Sequence, residues 1–341
     1  MATLYNDYDT DLDSYSSVSG KCSTSASSAT TATQSEDENA SVSKPLVRMS
    51  DELKKFRRLW WDQGNLHPKA DWDNVKLPYL LAESITFEEY ERRGDMFNVH
   101  GCWEWRNGKV IIIELPSDPH EICISSISRE LMHRCGSVIQ TDAEIYGLGS
   151  IRTRVGGSGK EADASFSPEK PDVTSPNGRD GNNKPWPNIV IEVAYSETVQ
   201  HVMDKVQNYW LHPNRAHDVI VVKINPVPRG QVPMRMRAWH FCVSDGRLPN
   251  GTVPARNMFE FGTQDEFGNA LNIQQGARII SIQLDCLYHD LLPNIQIPRK
   301  TLPDPIELDF FFVQRAIFRM TKFYSSLCIL PTDGTHLANE P

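Results

Sequence analysis

The stretch Ile189-Val190-Ile191-Glu192-Val193 constrains the fold of this chain more than any other. Four β-branched residues in a run of five read as a strand buried on both faces of a sheet, the pattern of an α/β core. A carboxylate inside such a run is costly, because an ionised group taken out of water without a partner either protonates or acquires a cation. Glu192 therefore has a structural cation beside it or is placed to hold one. A strand-end Glu facing solvent is the other reading.

Further elements follow from local signals. Ser50 to Gln63, acidic at its start and basic further on, reads as a short helix with its charges ordered along the dipole. Thr86 with Glu89 forms a capping box and Ile85 with Tyr90 a hydrophobic staple, so a helix is expected from Phe87. Asn107-Gly108 between two β-prone runs predicts a tight hairpin, since a type I′ turn needs positive φ at both central residues. From Asp118 the chain reads as a helix with Asp118 as N-cap, Pro119 at the first helical position, Glu121 completing the box and Gly136 as the stop. Ile122, Cys123, Ile127 and Leu131 form its apolar face. Strands are expected over 138–146, 162–166, 189–193, 219–224 and 234–242. Between Glu197 and Trp210 the recurrence of Val199, Val202, Val206 and Tyr209 predicts a crossover helix. Residues 167–187, rich in Pro, Gly and Asn, read as an insertion. Near the end, ARIISIQLDCLYHDLL suggests a strand and a helical turn, and DPIELDFFFVQRAIFRM a helix with a thick aromatic face.

Composition bounds the function. A chain of 341 residues allows one large α/β domain with additions, or two domains. No apolar run approaches the roughly 18 residues needed to cross a membrane. The acidic, polar start MATLYNDYDTDLDSYSS does not resemble a signal peptide, so an intracellular protein is expected. Seven cysteines without a CxxC pair indicate neither a disulfide framework nor a Cys-type zinc site. His120, His133 and Cys135 share one helical region, but their spacing makes no zinc set, and His201 and His217 read as solvated or loop residues. The net charge of −9 argues against binding nucleic acid through overall charge. Residues 1–45 carry seven acidic side chains against Lys21 and Lys44, with too little apolar surface to fold, so a disordered tail is expected. Between Leu211 and His240 the balance reverses: Arg215, Lys223, Arg229, Arg235 and Arg237 face only Asp218. Such a stripe can track a phosphate backbone or simply line a solvated edge strand.

Three polar residues fall on adjoining elements of one unit: Asp163 in KEADASF, Glu192, and Lys205 in VMDKVQNYW. Two carboxylates on neighbouring strands suit Mg²⁺, or Mn²⁺, which takes one or two such ligands and keeps waters for a substrate to displace. A nearby ammonium stabilises charge or orients an attacking water. Asp163 as a strand-end turn former and Lys205 as an ordinary exposed helix Lys are the competing readings. A carboxylate-pair glycosidase has no use for the Lys.

The order TFEEYER, EWRNGKV, PSDPHEI, DASF, IVIEV with SET after it, and DKVQNYW resembles the Uma-type restriction endonuclease family of the PD-(D/E)XK nuclease superfamily, over about Ile85 to Leu287. The resemblance implies a restriction-endonuclease-like mixed sheet flanked by helices. Residues 1–45 would form the tail, 46–83 a helical extension, 84–290 the nuclease-like domain and 291–341 a C-terminal helix and tail. It also implies Asp163 and Glu192 as metal ligands for Mg²⁺, with Lys205 on the helix where the superfamily's usual Lys position is Ala194. Glu104 matches a further acidic position, and His120 a recurrent His that contacts phosphate or a metal-bound water. Ala162 stands where the family usually has Pro, and Pro171-Asp172 spells the same pair inside the insertion, where no strand is expected. The implied activity is Mg²⁺-dependent hydrolysis of phosphodiesters in DNA, by a monomer or a homodimer. A catalytically inactive nuclease fold that binds nucleic acid or a protein partner is the alternative.

Overall fold

β-branched residues on both faces of one strand require a layer on each side, and the protein has both. The computed structural model describes residues 51–155, 158–171, 180, 184–228 and 231–327. The N-terminal tail, Asp172 of the second Pro-Asp pair and Arg229 of the basic stripe lie outside them.

The described residues open with α1 (Asp51–Gln63), β1 (Tyr79–Ala82), α2 (Phe87–Phe97) and the hairpin β2 (Trp103–Arg106) and β3 (Lys109–Ile112). Helix α3 (Asp118–Arg134) leads to β4 (Ile145–Gly147), β5 (Arg152–Val155), β6 (Ser158–Glu161), β7 (Ala164–Pro168) and β8 (Ile189–Ala194). Helix α4 (Val199–Lys205) precedes β9 (Asp218–Ile224), β10 (Met236–Cys242) and β11 (Ala255–Glu260). The described residues end in β12 (Ile279–Ile282), the single turn α5 (Leu284–Leu287), β13 (Ile306–Asp309) and α6 (Phe310–Leu327).

The central sheet has the order β11-β10-β9-β8-β7-β4, with β8 and β9 parallel and the other pairs antiparallel, which makes it the mixed sheet expected. A parallel pair needs a crossover, and α4 supplies it. Strand β8 feeds both layers through its period of two. Ile189, Ile191 and Val193 join Cys123, Ile127 and Leu131 of α3 and Phe310, Val313 and Ile317 of α6. Val190 and Ala194 join Val202, Val206 and Trp210 on the opposite face, the face that Glu192 shares. Each fully buried side chain of this size contributes about 1.5–3 kcal/mol. A second sheet, β1-β3-β2-β6-β5, packs Trp103, Val110 and Ile112 against Trp60 and Trp61 of α1 and Tyr90 of α2.

Local signals mostly hold. Thr86 accepts from the Glu89 N–H at 3.2 Å, and Asn107 and Gly108 turn at φ 48° and 79°. Five readings are corrected. Ser117 occupies the N-cap of α3 without a side-chain bond, and Asp118 is already helical. Of the strand expected over 138–146 only its end forms, as β4, because a 3₁₀ turn at Gly136–Val138 and a left-handed Gln140 (φ 62°) occupy the start. Asp163 is not within a strand but at the break between β6 and β7. Residues 306–309 pair with β12 and are not helical, so the helix begins only at Phe310. The basic stripe is largely engaged within the protein. Lys223 donates to the Tyr195 and Glu197 carbonyls, Arg237 pairs with Glu260 and Glu266, and Arg215 packs on Trp186 and Tyr209. Among the described residues no helix is long and apolar enough to cross a membrane.

Candidate active site

Antiparallel pairing of β7 with β8 sets Ala164 opposite Ile191, so Asp163, one residue earlier, comes level with Glu192. The Val193 N–H donates to Asp163 Oδ2 at 2.6 Å, which fixes the carboxylate across the strand end. Asp163 Oδ1 lies against Gly101, whose φ of 68° suits glycine. A Cβ there would stand 2.7 Å from the oxygen, so the approach of backbone to carboxylate depends on the missing side chain. His120, buried in the first turn of α3, brings Nε2 to 3.5 Å from Asp163 Oδ2, at ion-pair distance but outside hydrogen-bond geometry. Its Nδ1 faces Glu121 at 3.0 Å, so Glu121 binds this ring rather than completing a capping box.

Glu192 is 0% exposed. Its Oε1 accepts the Trp210 indole N–H, and its Oε2 is 2.6 Å from the Lys205 ammonium. The indole reaches it because α4 widens into a π turn at Val206–Trp210. Such turns recur where a side chain must be re-aimed. Glu104 is buried as well. Lys160 donates to its Oε1 at 2.6 Å, and its Oε2 faces Arg106 at 3.2 Å and His201 at 3.6 Å.

The charges are strongly interdependent. Burial pushes Glu192 up to about 8 against the pull of Lys205, and the nearby charges of Asp163 and Glu197 push the same way as burial. Burial disfavours the Lys205 ammonium, but Glu192, Glu197, Asp163 and Glu104 outweigh it and hold the pKa well above the ordinary range. For Asp163, burial is outweighed by His120, Lys205 and the Val193 N–H, and the carboxyl stays below its usual value. Likewise burial is outweighed at Glu104 by Lys160, His201 and Lys205. His120 is raised well above its usual value, chiefly by Asp163, in spite of burial.

The structure thus brings Asp163, Glu192 and Lys205 together, with His120 beside Asp163 and Glu104 on the adjoining sheet. Four further groups complete the cluster. Glu197, 3% exposed, binds His201 Nδ1 and lies 4.0 Å from Lys205. His201 is therefore part of the cluster and not a solvated residue. Glu114 accepts the N–H groups of Tyr195, Ser196 and Glu197 and so shapes the turn after β8. Glu161 accepts the Gly101 N–H at 2.9 Å and pairs with Arg152 at 2.7 Å. One signal was available: Glu197, His201 and Lys205 recur every four residues, the spacing of one helix face. Glu114 and Glu161 carry no comparable signal.

Burial works against a charged His201, but Glu104 and Glu197 raise its pKa from 6.5 to about 9. The stabilisation from that shift is fully present below pH 6.5 and is lost as pH rises through about 9. Denaturation of the wild type and His201→Asn across this window should show their stability difference shrinking by about 3 kcal/mol. A pH-independent difference would remove His201 from the charge network.

Asp163 and Glu192 are the carboxylates here that could hold a divalent cation. The charge of Asp163 disfavours ionisation of Glu192, and Asp163 Oδ1 has no hydrogen-bond partner among the described residues. Glu192 is open to a cation only once Lys205 lets go. Most side chains of the cluster are buried. The most exposed, His201, is 18% so.

No family profile matches the chain, and no curated protein matches it. Among solved structures, the chain is similar to a protein from Anabaena variabilis ATCC 29413 described as a candidate nuclease belonging to DUF820. The match is 16% identical, covers 47% of this chain and 76% of that one, and has a TM-score of 0.28. Likeness at that level leaves the functional reading to the site's own geometry.

Proposed function

We infer that the chain is a metal-dependent hydrolase of phosphodiesters in nucleic acid, with DNA as the expected substrate. The observation that supports this reading is the meeting of Asp163, Glu192 and Lys205 at the end of β8. Asp163 and Glu192 would hold Mg²⁺ or Mn²⁺, which supplies Lewis-acid polarisation and an acidified water when bound. The chain's own groups do the rest. Lys205 presents a permanent positive charge where charge develops on a phosphoryl oxygen. His120, held charged by Asp163, stands beside the same carboxylate and can contact phosphate. Glu104, kept ionised by Lys160, orients His201 and through it Glu197. His201, at 18% the most exposed member of the cluster, marks the side from which substrate would approach.

One observation favours a second reading, an inactive nuclease fold serving as a binding module. Glu192 Oε1 accepts the Trp210 N–H and Oε2, outside hydrogen-bond geometry, lies at ion-pair distance from Lys205, so its charge is compensated without a metal. Calorimetry on the full chain decides between the two. The nuclease reading expects Mg²⁺ or Mn²⁺ to bind and the binding to vanish in Glu192→Gln. It also expects cleavage of plasmid DNA by the wild type that Asp163→Asn lacks. No heat in either form, with no cleavage, would leave the binding module standing.

A further inference from the structure

At the opposite end of the same strands lies a second polar cluster that the nuclease reading does not use. Strands β8 and β9 are in parallel register, with Glu192 beside Val221 and Ile189 beside Asp218. Asp218 is thus three residues, or about 10 Å, along the sheet from the level of Glu192. Antiparallel pairing places Cys242, the last residue of β10, directly opposite Asp218, and His217 precedes it. Cys286 arrives from α5, far along the chain. One ligand atom from each of His217, Asp218, Cys242 and Cys286 lies within 4.8 Å of all the others.

We propose that these four residues form a structural zinc site. With Zn–S near 2.3 Å and Zn–N or Zn–O near 2.0–2.1 Å, neighbouring ligands of a tetrahedral ion stand roughly 3.3–3.8 Å apart. His217 Nδ1 is 3.3 Å from Asp218 Oδ2 and 3.8 Å from Cys242 Sγ, and the two sulfurs are 3.4 Å apart. The set of two thiolates, one imidazole and one carboxylate is that of a closed four-coordinate zinc, not of Mg²⁺ or Ca²⁺, which prefer oxygen alone. Outer partners are present as well. Fully buried His240 places Nε2 2.7 Å from Asp218 Oδ1, leaving Oδ2 for the ion. The Ser244 hydroxyl lies 2.7 Å from Cys242 Sγ and 3.6 Å from Cys286 Sγ, positioned to donate to the thiolates. Such second-layer contacts orient ligands and tune a metal. The absence of a CxxC pair pointed away from a thiolate site, because these cysteines are 44 positions apart and only the fold joins them.

An ion here would clip the turn bearing Cys286 onto the start of β9. That segment already docks by Asn188, whose amide donates to the Leu287 and His289 carbonyls. The test uses the full chain, purified and dialysed against metal-free buffer. Elemental analysis should find stoichiometric zinc in the wild type and in Glu192→Gln, whose second oxygen-ligand site is disabled, and none in a Cys242→Ser, Cys286→Ser double variant. His217→Cys, which keeps four ligands, should retain it. Replacement by Co²⁺ should give a thiolate-to-cobalt absorption band. Zinc should also protect both thiols of the wild type from alkylation, a readout that does not require the variants to fold. A metal-free wild type whose two thiols react equally fast with and without added zinc would overturn the proposal. So would a Cys242–Cys286 disulfide in protein purified with reductant. Retention of zinc together with failure to bind Mg²⁺ would uphold this site while removing the nuclease reading.

Discussion

Lys205→Met is expected to lower DNA cleavage by on the order of 10²–10³-fold while leaving Mg²⁺ affinity unchanged or tighter. The opposite signs follow from where the ammonium sits. At 2.6 Å from Glu192 it competes with any cation for that carboxylate, so removing it frees a ligand. The same charge is what would stabilise the phosphoryl oxygens, so its loss removes catalysis. Methionine keeps the length of the side chain in a buried position, 4% exposed, and limits the packing loss. Single-turnover cleavage and metal titration on the same preparations separate the two effects. Equal cleavage by both proteins would assign the activity to a contaminant or to another site. Weaker metal binding in parallel with the lost rate would make Lys205 a support for the fold of the site only.

The second large effect concerns stability. Glu114→Ala should destabilise the protein by about 3–5 kcal/mol, because the N–H groups of Tyr195, Ser196 and Glu197, two of them partly and one fully buried, all lose their acceptor. For a chain of this size that is a fall of roughly 10 °C in melting temperature. Ser196→Ala removes the hydroxyl's contacts with Glu114 and with the Leu115 N–H, which keeps Glu114 as an acceptor, and spares the three backbone bonds, so it should cost about 1 kcal/mol. A melting temperature for Glu114→Ala within about 2 °C of wild type would mean that the turn after β8 does not depend on this carboxylate.

The contrast between Glu192 and Glu114 explains how much of the site could be read from the residues alone. Glu192 stood out because its neighbours are β-branched on both sides, so its burial was visible without a structure. Asp163 and Lys205 followed from their place beside it. Glu114 precedes a proline-containing loop and looks like any polar residue at a strand end. Its importance lies in accepting backbone groups some eighty residues away, and pairing at that separation leaves no local periodicity. Glu161 and Lys160 face the same difficulty, since the short strand β6 carries no apolar alternation. The fold shows the same division. The hairpin at Asn107-Gly108 and the cap at Thr86 are fixed by chemistry within four residues. Residues 306–309, by contrast, run straight into the aromatic face of α6, and only partnership with β12 makes them a strand. The helix period of α4 was legible, but its widening at Val206–Trp210 was not, because the widening serves a contact with β8.

That wide turn ties the length of the chain to the chemistry at its end. A residue added or lost between Lys205 and Trp210 would swing the indole by about 100° around the helix axis and strip Glu192 of its donor. Homologues in which the spacing of lysine to tryptophan differs would therefore need another donor for this carboxylate, whereas those that keep the spacing can vary freely at the exposed Asn208.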